Sequence, residues 1–161
     1  MDTLFTGEGL DEEPGEVLRY DVAASTSADE AGSPKVHYDL GLAYKEMGLL
    51  EDAIQEFQSA VQMLDDPASN PQKILCCSML ANSYLQLGRF TDAIRCAEEG
   101  LLIPGQKEFE WKALKYELSS AYEKRGDYAQ ALAGFNDILE RDPEYRDVRA
   151  RLTQLQRLHG Q

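Results

Sequence analysis

The chain is expected to fold as an all-α solenoid of three antiparallel helix hairpins with a C-terminal capping helix. Three observations carry this expectation. A tyrosine recurs as Tyr44, Tyr84 and Tyr122; a glycine stands four residues after each, at Gly48, Gly88 and Gly126; and an alanine stands five residues after each glycine, at Ala53, Ala93 and Ala131. A glycine at the end of a helical run supplies the left-handed residue that terminates the helix. Each glycine therefore marks the turn between two helices, and the repeating register marks three copies of one hairpin.

Residues 1–33 read as an acidic, solvated N-terminal tail. They mix acids with Gly, Ser, Thr and Ala and hold no sustained helical period. Two apolar islands, Leu4-Phe5 and Val17-Leu18-Arg19-Tyr20, are either adhesive segments of that tail or incidental. Ser33-Pro34 then supplies an N-cap residue followed by a proline at the first helical position, where its missing N–H costs nothing. The folded domain is expected over 34–161, with hairpins at about 34–67, 71–104 and 107–143 and the capping helix at about 144–158. Between the first two hairpins, 65–71 is a loop by composition, and Asn70-Pro71 restarts a helix. The second junction, near Gly105-Gln106-Lys107, is expected to lengthen the helix that follows it. In the capping helix Tyr145, Val148, Leu152, Leu155 and Leu158 fall at spacings of three and four, which places them on one side.

At 161 residues and 43% hydrophobic content, one domain with one modest core is expected. No run of 18 apolar residues exists, and the first 30 residues are acidic. Neither a membrane span nor a secretory signal is read, and the cytoplasm is the expected compartment. The net charge of −13 opposes binding to nucleic acid or to an anionic membrane, both of which need a positive surface. Most of that charge sits in the tail, where nine acids face Arg19 alone. Cys76, Cys77 and Cys96 are odd in number, without metal-ligand spacing, and are read as reduced packing residues; no metal and no cofactor is expected.

The aligned copies read Leu40-Gly41-Leu42-Ala43-Tyr44, Leu80-Ala81-Asn82-Ser83-Tyr84 and Leu118-Ser119-Ser120-Ala121-Tyr122, with Phe57 and Phe135 following Ala53 and Ala131, and Pro143 closing the third. On these residues the chain resembles the tetratricopeptide-repeat family. The middle copy departs from the pattern, with Ala97 where the phenylalanine belongs. Intervals of 40 and 38 residues exceed the usual repeat of 34, so residues are added at the junctions. Small residues in the pattern let paired helices approach, and the aromatics fill the gaps between them.

No chemistry is legible. His37 and His159 are far apart and have no nucleophile beside them, and Gly7-Glu8-Gly9 follows no strand, so neither catalysis nor a phosphate loop is expected. What remains is a surface. The resemblance implies that the first helix of each hairpin lines a concave groove, which places there Lys35, Tyr38, Leu42 and Lys45 from the first copy. The second copy supplies Ser78, Asn82, Leu85 and Gln86, and the third Tyr116, Ser120 and Lys124. Asn82 is the sharpest candidate, because a mid-groove amide both donates and accepts and so suits a peptide unit of any sequence. Glu56 and Asp137, on second helices, are expected to face solvent. The family's clamp for chaperone C-terminal carboxylates uses a lysine and an asparagine where Tyr38 and Leu42 stand, which argues against a receptor of that kind.

The expected function is an adaptor or scaffold module that holds a peptide or helix of a partner protein in the groove, with no enzymatic activity. Two alternatives stay open. One is a small chaperone similar to the three-repeat chaperones of type III secretion, against which the long intervals count; the other is a structural module that self-associates.

Overall fold

Ser33 opens the first helix as its position suggests, its hydroxyl accepting from the Val36 amide at 3.3 Å ahead of Pro34 in the first turn. The computed structural model describes residues 32–159, so the acidic tail lies outside the described residues. The described chain holds seven α-helices: α1 (Pro34–Glu46), α2 (Leu50–Gln62), α3 (Asn70–Gln86), α4 (Phe90–Leu102), α5 (Glu108–Arg125), α6 (Tyr128–Arg141) and α7 (Val148–His159). No strand occurs among the described residues. The fold is all-α, three helix hairpins in series with a terminal helix.

The recurring glycines end the first helices as their spacing requires. Gly48, Gly88 and Gly126 take φ of 78°, 79° and 98°, where a side chain would be strained. The two added junctions differ from each other. Pro67–Ser69 forms a short 3₁₀ turn in what composition suggests is plain loop, capped by Asp66 accepting from Ala68 N–H at 2.9 Å. The second junction is closed by Gln106, whose amide donates to the carbonyls of Gly100, Leu101 and Ile103 and satisfies the end of α4. Both following helices are longer than α1: 17 residues in α3 and 18 in α5, against 13.

Hairpins α1–α2, α3–α4 and α5–α6 stack so that α2 packs on α3, α4 on α5, and α3 directly on α5, with α7 against α6. One apolar core runs through all three hairpins, joining Phe57, Leu80, Tyr84, Ile94 and Leu118. A second joins Phe135 and Ile138 to Val148, Leu152 and Leu155 of α7. Burying these side chains contributes about 1.5–3 kcal/mol each, and none of the hairpins could bury its own stripe alone. Small residues set the close approaches. A Cβ at Gly41 would lie 2.5 Å from the Phe57 ring, and one at Gly134 would fall on Ser119 Oγ.

The terminal helix departs from its expected form. It begins at Val148, so Tyr145 packs from the preceding turn, and Leu158 is 62% exposed and takes no part in the seal. Arg151, not an apolar residue, completes the contact.

Candidate partner-binding groove

The groove is built where α3 packs on α5, because the first helices of adjacent hairpins present parallel rows of side chains to one side. Two adjoining hollows of about 330 and 430 Å³ share Asn82, Glu117 and Arg146 as lining residues. Lys45, Ser78, Leu75 and Phe109 line the first. Leu85, Tyr116, Ser120 and Lys124 line the second, with Glu123, Asp147 and Arg151.

Most of the sequence-derived set therefore meets here, but four members do not line it. Lys35 and Tyr38 line a separate hollow of about 230 Å³ between α1 and α3, which touches the main groove only through Leu75. Tyr38 packs its ring 5.7 Å from Phe57, so its aromatic surface serves the hairpin. Leu42 lies against the main core. Gln86 is exposed and reaches the groove through Asn82 alone, donating to its Oδ1 at 2.6 Å.

Asn82 differs from the open amide expected of it. Its Nδ2 donates to Glu117 Oε1 at 3.1 Å while its Oδ1 accepts from Gln86, so both ends are engaged within the molecule. Its first role is to hold Glu117. That carboxylate is 8% exposed, and Oε2 is buried without a hydrogen-bond partner among the described residues. Burial pushes the Glu117 pKa above its usual value, against the Asn82 hydrogen bond and the charges of Arg146, Lys45 and Arg151, which pull it down.

The far wall comes from the segment around α7. Arg146 takes φ of 44°, a left-handed backbone unusual for a side-chain-bearing residue, and its guanidinium stands 4.6 Å from the Tyr116 ring and 5.0 Å from Tyr145. It reaches Glu117 Oε1 at 4.0 Å. Arg151 donates to Glu123 Oε2 at 2.7 Å, to Tyr116 Oη at 3.0 Å and to Ser120 Oγ at 2.9 Å. Tyr116 in turn donates to Asp147 at 2.7 Å, and its ring packs on Phe135 and Tyr145. Tyr116 and Ser120 are thus fixed groups of the wall.

The sequence reading missed Glu117, Arg146 and Arg151. Aligning the copies on their tyrosines puts Glu117 in the place of Asp39 and Met79, and an acid three residues past Leu114 and four before Ala121 falls on a buried stripe. Arg151 stands between Val148 and Leu155 at helical spacing, which is likewise a signal. Arg146 has none, because a left-handed arginine has no mark in sequence.

The outer-face expectation needs correction for Glu56, whereas Asp137 is exposed as expected. Glu56 is half-buried and bonds His37 Nδ1 at 2.6 Å across the first hairpin, and Asp137 pairs with Lys115 at 3.2 Å across the third. Each acid on a second helix thus meets a polar side chain of its own first helix.

With the geometry established, comparison identifies the family. Tetratricopeptide-repeat models match residues 34–63, 76–106 and 113–145, and the chain belongs to that family. A search of curated protein sequences finds no match. Among solved structures it is similar to the first TPR of Spaghetti (RPAP3), determined bound to an HSP90 peptide, with a TM-score of 0.69 at 15% identity over 80% of this chain and 94% of that one. The Arabidopsis OM64 TPR domain gives 0.67 at 17% over 78% and 96%. MamA of Desulfovibrio magneticus RS-1 gives 0.70 at 18% over 91% and 77%. At these identities the likeness is one of fold. No helix among the described residues is long and apolar enough to cross a membrane.

Proposed function

We propose that this protein is an adaptor that holds a segment of a partner protein in the groove between α3 and α5, and that it performs no catalysis of its own. The observation that carries the reading is the pair of adjoining hollows, which share Asn82, Glu117 and Arg146 and together present apolar, amide, hydroxyl and charged groups along one face. Such a mixture suits a peptide that is bound through its backbone and a few side chains. The family is one of protein-interaction modules, and the structural relative bound to an HSP90 peptide is an instance of a TPR holding a short segment. The fixed geometry of Tyr116 and Ser120 favours binding, because groups already ordered lose little entropy when a ligand arrives.

The test is calorimetry with partner fragments obtained by affinity capture from the source cell. Leu85→Ala and Lys124→Glu change the groove and leave the Arg151 network in place. Each is expected to weaken binding by roughly 5- to 50-fold, the equivalent of about 1–2.3 kcal/mol. Arg95→Glu on α4, outside both hollows, is the control. If the control weakens binding and the groove variants do not, the partner sits elsewhere. Light scattering separates the reading from self-association, for which a monomer at working concentration is the opposing result.

A further inference from the structure

Glu117 lines both hollows, and while its Oε1 accepts from Asn82, its Oε2 is buried with no donor among the described residues. A buried polar atom without a partner costs about 1–3 kcal/mol, more if charged, and is rare in folded proteins. Here the cost falls on a carboxylate that Asn82 holds in place through its other oxygen, at the point common to both hollows. Arg146 does not cancel it: the guanidinium stays 4.0 Å from Oε1, stacked on two tyrosine rings, and Oε2 receives no bond from any described residue. The group the groove lacks is therefore a donor. Along the same hollow, Leu75 and Phe109 are exposed apolar side chains, 37% and 58% accessible. Phe109 and Glu117 are separated by about two turns of α5, on the order of 12 Å.

We propose that the groove selects a partner segment carrying a basic side chain that bonds Glu117 Oε2, with an apolar residue of the same segment resting on Leu75 and Phe109. The proposal deepens the adaptor reading and rests on it. A lysine ammonium or arginine guanidinium brings the donors and the positive charge that a desolvated carboxylate lacks, and charge-assisted bonds of this kind are the strong ones. The 12 Å separation corresponds to about three or four residues of extended chain, or to two turns of a helix. Arg146, 47% exposed, is a rim side chain able to swing out as the incoming cation replaces its weak contact with Glu117.

The probe is an array of capped peptides on an alanine–glutamine background, each with one leucine or phenylalanine and one variable residue at every separation. The variable residue is lysine, arginine, norleucine, glutamine or glutamate. With the wild-type protein, the basic members at the favoured separation are expected to bind about tenfold or more tightly than their norleucine counterparts. With Glu117→Gln, an isosteric change whose folding is checked by circular dichroism, that preference is expected to fall below about threefold. A second measurement needs no variant: the ¹³C carboxyl resonance of Glu117 should titrate at lower pH once a basic peptide is bound, because a nearby cation favours the charged form.

Peptides that bind with no preference for a basic residue, or a preference that survives Glu117→Gln, would overturn the proposal and leave the adaptor reading standing. A preference for glutamate would also overturn it, assigning Arg146 and Lys45 as the anchors instead. Binding by no peptide, together with groove variants that leave the captured partner unaffected, would remove both readings.

Discussion

Asn82 Nδ2 donates to Glu117 Oε1 at 3.1 Å, tying the second hairpin to the third across the floor of the groove. The bond fixes a carboxylate whose second oxygen has no partner among the described residues, so the site is ordered and costly at once. Functional sites commonly carry such local costs, offset by the rest of the fold.

Replacing the acid should therefore stabilise the protein in a pH-dependent way. The folded-state pKa of Glu117 is raised above the ordinary glutamate value, with burial as the main cause. Between those two values the folded state binds more protons than the unfolded state, so stability falls as pH rises through that window. Above it the penalty is present in full. Glu117→Gln removes the titrating group and should raise Tm at pH 7 by roughly 2–6 °C, equivalent to about 1–2 kcal/mol. The advantage should close as pH falls toward the ordinary carboxylate range. Calorimetry between pH 4 and pH 8 checks this, and a difference that stays constant with pH would show that the buried charge is not its source.

The hairpins were legible because their signals are local. Gly48, Gly88 and Gly126 need a left-handed backbone, Ser33-Pro34 caps a helix, and the alanine and tyrosine register repeats three times, so each can be read within a few residues. The groove was legible only as rows of positions on α1, α3 and α5. What those positions do depends on partners 31 and 35 residues away: Ser120 on Arg151 and Asn82 on Glu117. Helical spacing says which side a residue faces and nothing about which polar group it meets there. For the same reason Tyr38 was placed in a groove that the first hairpin barely enters.

The two close approaches at glycine should respond differently to one added methyl. At Gly41 the new Cβ meets three atoms of the Phe57 ring, all within 2.9 Å, and the ring is fully buried. Gly41→Ala should cost about 1–3 kcal/mol in overpacking, offsetting its gain in helix propensity of about 1 kcal/mol. At Gly134 the main obstacle is Ser119 Oγ, a hydroxyl bonded to the Lys115 carbonyl at 2.8 Å, with Ser119 Cβ farther off at 3.2 Å. Ser119→Ala should therefore rescue Gly134→Ala, with a coupling of about 0.5–3 kcal/mol in a double-mutant cycle. Urea denaturation of the four proteins measures it, and additive effects would show that the two side chains do not meet.

The three cysteines should be inert in the folded protein. Burial raises the thiols of Cys76 and Cys77 to about 11 and that of Cys96 to about 12, leaving little thiolate at pH 8. Ellman's reagent at pH 8 should label none of them on a timescale of minutes and all three after unfolding in guanidinium. Rapid labelling of one thiol without denaturant would reveal local opening at its helix.

Arg151 is expected to be the most sensitive polar position of the terminal helix, because its guanidinium bonds three residues that line the groove. Its side chain is 17% exposed, and its guanidinium donates to Glu123, Tyr116 and Ser120 and stands 4.7 Å from the Phe135 ring. Arg151→Ala removes those bonds and leaves the half-buried Glu123 carboxylate without its cation, at an expected cost of about 2–3 kcal/mol. Arg151→Lys should recover only part of this, since one ammonium can approach Glu123 but cannot reproduce the planar fork that also serves Tyr116 and Ser120. Urea midpoints with unchanged m-values would give the stability terms. Because Tyr116 and Ser120 line the groove, Arg151→Lys should also weaken partner binding at temperatures where the protein remains folded. A lysine variant equal to wild type in both stability and binding would show that Arg151 contributes charge alone, and that the wall of the groove is held by the packing of Tyr116 against Phe135 and Tyr145.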